Sequence, residues 1–176
     1  MNIFDNKTII LTGMMGSGKT TIGKVLASKI EKDFIDSDQE IINASGLSIQ
    51  EIFSKFGEEY FRTGERKIIE RIMSSEKQIV LSIGGGAFVN KELRKLINTK
   101  GVSIWLNANY KTLSKRLKKN TQSRPLFNGY DFKKRLEQLI SERSEFYKFA
   151  NFEIDVNNLS IREIIEKIFK NLENKN

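Results

Sequence analysis

Apolar residues follow two patterns along the chain. Lys7–Thr12 (KTIILT) is a short β-branched run ending at a glycine, and Gln78–Ile83 (QIVLSI) is another, closed by Gly84-Gly85-Gly86. Both patterns predict buried strands. Phe34 and Ile35 open a further short strand that stops at Asp36-Ser37-Asp38, and Val102–Leu106 (VSIWL) and Phe152–Val156 (FEIDV) are two more. Between these runs the spacing turns helical. Helices are predicted from Lys19 to about Ile30, over Ser48–Phe56 behind a capping box of Ser48 and Glu51, from Glu58 to Met73, from Asn90, around Tyr110, and over Asp131–Tyr147. The last helix opens on a second capping box, Ser160 and Glu163, and is expected to bury Ile161, Ile164, Ile165, Ile168 and Phe169 at 3.6-residue spacing.

Strands alternating with helices imply βα units, hence an α/β fold with a mainly parallel sheet and helices on both faces. A chain of 176 residues suits one compact domain, residues 1–176. One segment departs from the pattern. From Lys118 to Tyr130, KKNTQSRPLFNGY, polar and basic residues surround the only proline, which predicts a mobile loop. Ligands of such sheets bind beyond the carboxyl ends of the strands, and GMMGSGKTT, DSD and GGG all fall there.

Composition narrows the chemistry. Hydrophobic residues make up 39% and charged residues 30%, with no apolar run of bilayer length and no secretory leader pattern at the start, so a cytoplasmic address is expected. Absence of cysteine excludes disulfides and thiolate metal sites, and absence of histidine excludes imidazole acid–base chemistry. Catalysis must use carboxylates, Lys, Arg, hydroxyls and backbone amides. A net charge of +8 raises the possibility of nucleic-acid binding. Many of the lysines, however, sit in mixed-sign helical stretches such as Glu65–Lys77 and Ser160–Lys170, which are expected to be solvated faces, and attraction of small anions is a sufficient use for the surplus.

Gly13-Met14-Met15-Gly16-Ser17-Gly18-Lys19-Thr20 fits the phosphate-loop pattern in full, with a strand before it and a helix after it. Backbone N–H groups of such a loop wrap phosphate oxygens, Lys19 reaches the β- and γ-phosphates, and the Thr20 hydroxyl suits Mg²⁺. Neither a guanine-reading N-K-x-D segment nor a D-x-x-G switch is evident, so a small-molecule or nucleotide kinase is favoured over a GTPase. Asp36 and Asp38 alternate at the end of their strand, so they should face opposite sides unless the turn has begun; each is either a ligand-facing carboxylate or a cap for the helix near Gln39. Arg62 and Glu65 are either site residues or an i,i+3 surface pair. The triple glycine marks either close backbone approach to a ligand or a plain turn.

Together these stretches resemble the shikimate kinase family along nearly the whole chain: GMMGSGKTTIG, FIDSD, SGLSIQEIF, GEEYFR, GGG, SRPL and ERSEFY occur in the family's order and spacing. The resemblance implies a three-layer P-loop kinase fold with a five-stranded parallel sheet of order 2-3-1-4-5, a shikimate-binding segment over about 36–62 and a mobile lid over about 118–130. It implies ATP- and Mg²⁺-dependent phosphorylation of the shikimate 3-hydroxyl, a step toward chorismate and the aromatic amino acids. Its partners would be shikimate and ATP, with no nucleic acid and no membrane, in a monomer. Gluconate or nucleotide kinases share the loop and sheet but lack the FR, GGG and RPL stretches.

Carried over by position, Lys19, Asp38 and Arg124 are the catalytic candidates. Gly13, Gly16, Ser17, Gly18, Lys19, Thr20 and Thr21, with Arg116 against adenine and the lid's Arg124, would bind ATP. Asp38, Arg62, Gly84, Gly85, Gly86 and Arg143 would bind shikimate, the two arginines taking its carboxylate. Thr20 and Asp36 would serve Mg²⁺, Asp36 through water. Asn157 and Asn158 fall where the family contacts adenine. Tyr147 follows Arg143 at the family's R-x-x-x-Y spacing, and packing on its helix face is the alternative to a site role.

Overall fold

The computed structural model describes residues 7–75, 77–118 and 125–173. The five predicted strands form: β1 (Thr8–Thr12), β2 (Asp33–Asp36), β3 (Ile79–Ser82), β4 (Gly101–Asn107) and β5 (Phe152–Asp155). They make one parallel sheet in the order β2-β3-β1-β4-β5, as expected from the resemblance. Side chains alternate across a strand, yet Ile9, Ile10, Leu11, Val80 and Leu81 are all buried, so both faces are covered. Residues that alternate in direction but not in burial are what a sheet between two helical layers requires.

Among the described residues seven helices supply those layers: α1 (Lys19–Lys29), α2 (Ser37–Ser45), α3 (Ile49–Ser74), α4 (Lys91–Lys100), α5 (Tyr110–Leu117), α6 (Phe132–Tyr147) and α7 (Ile161–Glu173). Short 3₁₀ turns occupy Ala87–Val89 and Pro125–Phe127. α1 packs on β2, β3 and α7, while α3 packs on α2 and α4. Most helix starts are legible caps. Asn90, Asn109 and Asp131 accept from the N–H groups of Leu93, Thr112 and Lys134. Both predicted capping boxes close, Ser48 with Glu51 and Ser160 with Glu163. The two helices predicted on either side of residue 57 are one stretch, α3, broken at Gly57, whose φ of 82° and ψ of 174° leave the helical region.

Three expectations are corrected. The helix after β2 starts at Ser37 rather than near Gln39, and Asp36 is its cap. Ile161 is 42% exposed and not buried, because it opens the first turn of α7 at the wall of a cavity; Leu172 is buried at the other end. Glu65 does not lie on a solvated face but is 2% exposed. The lid expected over 118–130 is described only at Lys118 and from Pro125 onward, and Arg124 lies outside the described residues. No described helix is long and apolar enough to cross a membrane.

Register brings the site together. Leu11 and Asp36 both align with Ser82, and Thr12 aligns with Trp105, so the loops after β1, β2 and β3 leave the same edge of the sheet. The Gly84 N–H donates to Ser37 Oγ over 3.1 Å, joining two of those loops directly.

Candidate active site

The loop after β1 wraps tightly. Gly13, Gly16 and Gly18 take φ values of 136°, 80° and 103°, and a methyl group at Gly13 would stand 2.7 Å from the Leu106 carbonyl oxygen, so only glycine fits there. Lys19 Nζ donates to the Gly13 and Met14 carbonyls at 2.9 and 3.0 Å, which folds the ammonium over its own loop. Arg116 Nη1 donates to the carbonyls of Gly16 and Ser17, each at 3.1 Å, so α5 is anchored to the loop from outside. Ser17 is fully buried, its hydroxyl turned inward beside Gly13. A cavity of about 510 Å³ opens over the loop, with Thr20, Thr21, Asp36, Arg116, Leu159 and Ile161 among its walls.

Asp36 and Asp38 divide their work. One Asp36 oxygen accepts from Thr20 Oγ1 at 2.7 Å and the other from the Asp38 N–H at 3.1 Å. The turn has therefore begun before Asp38, which sits in the first turn of α2 and does not alternate away from Asp36 across a strand. Asp38 lines the first cavity and also a second, narrower one of about 130 Å³.

The second cavity is lined by Arg62, Glu65, Gly84, Gly85, Gly86 and Arg143 as well. Its glycines allow close approach: a methyl group at Gly86 would stand 2.5 Å from the Arg62 Cζ, and one at Gly84 only 2.2 Å from Glu65 Oε1, so either would push those charged ends aside. Arg143 is 7% exposed. Glu65 Oε2 accepts from Arg62 Nη1 at 2.8 Å, and Oε1 has no hydrogen-bond partner among the described residues. Burial pushes the Glu65 carboxyl above its ordinary value; the Arg62 charge opposes this, and nearby Asp38 adds to it. Arg62 itself is held above its usual value: burial works against the charge, but the attraction and hydrogen bonds of Glu65 and Glu58 outweigh it. Tyr147, fully buried, donates to the Gly85 carbonyl at 2.5 Å, and burial raises its phenol to about 12 while Arg143 pulls the other way.

The site thus brings together Lys19, Thr20, Asp36, Asp38, Arg62, Gly84, Gly85, Gly86, Arg116 and Arg143. Asn157 is otherwise engaged. Its Oδ1 accepts from the Asn109 N–H and the Thr112 hydroxyl at 2.9 and 2.8 Å, and the cavity wall in that region comes from Leu159 and Ile161. Those two apolar residues were missed as site residues by sequence reasoning, whereas Glu65, left open between site and surface, lines the second cavity.

The family model for shikimate kinase matches residues 15–173. The chain belongs to the shikimate kinase family. Among its relatives, shikimate kinase from Zymomonas mobilis is 45% identical, covering 92% of this chain and 91% of its own, and that from Caldicellulosiruptor bescii is 43% identical over 92% and 93%. The structure of shikimate kinase from Acinetobacter baumannii in complex with shikimate superposes with a TM-score of 0.92 at 31% identity, covering 98% of this chain and 96% of that one. A gluconokinase from Sinorhizobium meliloti shares the fold at a TM-score of 0.57 and 17% identity. As a shikimate kinase family member the chain is an enzyme, a P-loop kinase of the shikimate pathway that uses ATP.

Proposed function

We propose that the protein transfers the γ-phosphoryl group of ATP to the 3-hydroxyl of shikimate, forming shikimate 3-phosphate and ADP. The observation that carries this reading is the position of Asp38, which walls both cavities, with the phosphate loop in one and two arginines in the other. ATP occupies the larger cavity, its phosphates over the amides of residues 13–20 and its adenine between Arg116 and the apolar pair Leu159 and Ile161. Lys19 exchanges its two carbonyl partners for phosphate oxygens.

Shikimate enters the smaller cavity. Arg62 and Arg143 hold its carboxylate, a task suited to planar donor forks. Gly85 and Gly86 let the ring lie against the backbone, and Asp38 accepts a hydrogen bond from the 3-hydroxyl, aiming its oxygen at the γ-phosphorus. As the new P–O bond forms and the bond to ADP breaks, that proton passes to the Asp38 side. The transition state of such transfers is loose, so alignment and charge neutralisation by Lys19 outweigh proton abstraction. Arg124, by its resemblance, adds a further cation from the lid.

Thr20 and Asp36 fit a magnesium site. A hydroxyl and a carboxylate, hydrogen-bonded to each other at the wall of the ATP cavity, are hard oxygen donors, and Mg²⁺ is commonly held by one or two such groups together with substrate phosphates. When bound there it would neutralise charge on the β- and γ-phosphates. The reading assigns the enzyme to the cytoplasm, where ATP is supplied.

Proton–phosphorus correlation NMR of the product tests the assignment. The phosphate should couple to the proton on C3; coupling at another carbon would remove the role given to Asp38.

A further inference from the structure

The Arg62 guanidinium is already engaged by two carboxylates of its own helix. Glu58 Oε1 accepts from both Nε and Nη2, at 3.2 and 3.0 Å, and Glu65 Oε2 accepts from Nη1. The two acids are unlike. Glu65 is buried, whereas the Glu58 side chain is 52% exposed and immediately follows the helix break at Gly57. Gly86 lies against the guanidinium, and the Phe61 ring centroid is 5.1 Å from Cζ. An incoming carboxylate therefore meets Arg62 along a donor edge, and the Nε–Nη2 edge, matched to a planar two-oxygen ligand, is the one Glu58 holds.

Charge favours an exchange. With Glu58 in place, Arg62 and Arg143 face three acids, Asp38, Glu58 and Glu65, so a substrate anion added to the site would deepen an existing excess of acids. Exchanging that anion for Glu58 leaves the number of carboxylates around the two arginines unchanged. There is room for it to leave: a hollow of about 400 Å³ on the outer side of Arg62 is lined by Glu58, Arg135, Glu142 and Arg143, and Arg135 offers the departing carboxylate another cation.

We infer that Glu58 is an internal stand-in for the substrate acid, seated on Arg62 while the site is empty and displaced by the carboxylate of shikimate on binding. This rests on the reading that Arg62 binds that carboxylate. Glu58 thereby sets specificity: a ligand without an acid meets an arginine that is already neutralised and gains nothing from it, while a true substrate trades one carboxylate for another. The contact is partly exposed, so its competition is modest, on the scale of a surface ion pair.

Calorimetric titration of shikimate into the full-length protein tests the exchange, with Glu58→Gln compared against wild type and against Glu59→Gln, which removes an exposed charge beside it. In Glu58→Gln the Kd for shikimate should fall two- to fivefold, about 0.4–1 kcal/mol, with the kinetic change in KM rather than kcat. Glu59→Gln should bind as wild type does. An unchanged or raised Kd in Glu58→Gln, or an equal fall in both variants, would overturn the exchange. Failure of wild type to bind shikimate would instead overturn the reading of the site, and the exchange with it.

Discussion

The Tyr147 hydroxyl donates to the Gly85 carbonyl across 2.5 Å, fastening the end of α6 to the turn after β3. The same helix carries Arg143, and the same turn lines both cavities, so this bond helps fix the distance between the arginine proposed to hold the acid and the backbone on which the ring is proposed to rest.

Tyr147→Phe should lower unfolding free energy by about 0.5–1.5 kcal/mol, since it removes a partly buried hydrogen bond, and raise the KM for shikimate severalfold. Urea unfolding and steady-state kinetics measure both. The pH dependence has a definite sign. The folded phenol sits at about 12, above its unfolded value near 10, so the bond contributes fully below pH 10 and is lost as pH rises toward 12. The stability difference between wild type and the variant should therefore shrink across that window.

Glu65 gives a test of the same sign in a lower pH range. Its folded carboxyl is raised by burial, so its favourable contribution is complete below the ordinary carboxyl range and is lost as pH rises through the folded value. Glu65→Gln should compare more favourably with wild type at pH 8 than at pH 4 in urea unfolding. Parallel curves at the two pH values would contradict the burial argument.

Ile161 was expected in the core and stands instead at the wall of the ATP cavity. Ile161→Ser should raise the KM for ATP by roughly three- to tenfold through lost apolar contact, while changing unfolding free energy by less than about 0.5 kcal/mol because the side chain is exposed. A clear loss of stability with unchanged ATP KM would return Ile161 to the core.

What could be seen in the sequence was whatever is local in sequence. The phosphate loop is eight consecutive residues whose backbone and side chains act together, so its chemistry needs no fold to be recognised. The strands and capping boxes are equally local, and the sheet order followed from the family resemblance. Periodicity failed at Ile161 because it reports which side of a helix a residue is on, not whether that end of the helix lies at a cavity wall. Glu65 was ambiguous for a related reason. Its i,i+3 spacing places it beside Arg62, but only the packing of Gly84 over it removes it from water. Strand alternation left the facing of Asp38 open, and the start of the helix at Ser37, one residue before it, decides that the turn has begun. The bonds that Asn109 and Thr112 make to the Asn157 side chain join positions 48 and 45 residues apart, and nothing local in the sequence announces them.

The joint wall that Asp38 makes between the two cavities is the centre of the functional proposal, and a coupled ADP-release assay with and without shikimate tests it most directly. Shikimate should stimulate ADP release strongly, gluconate and nucleoside monophosphates should not, and Asp38→Asn should lower the shikimate-dependent rate at least about tenfold while leaving a folded protein. ADP release indifferent to shikimate, or full activity in Asp38→Asn, would contradict it.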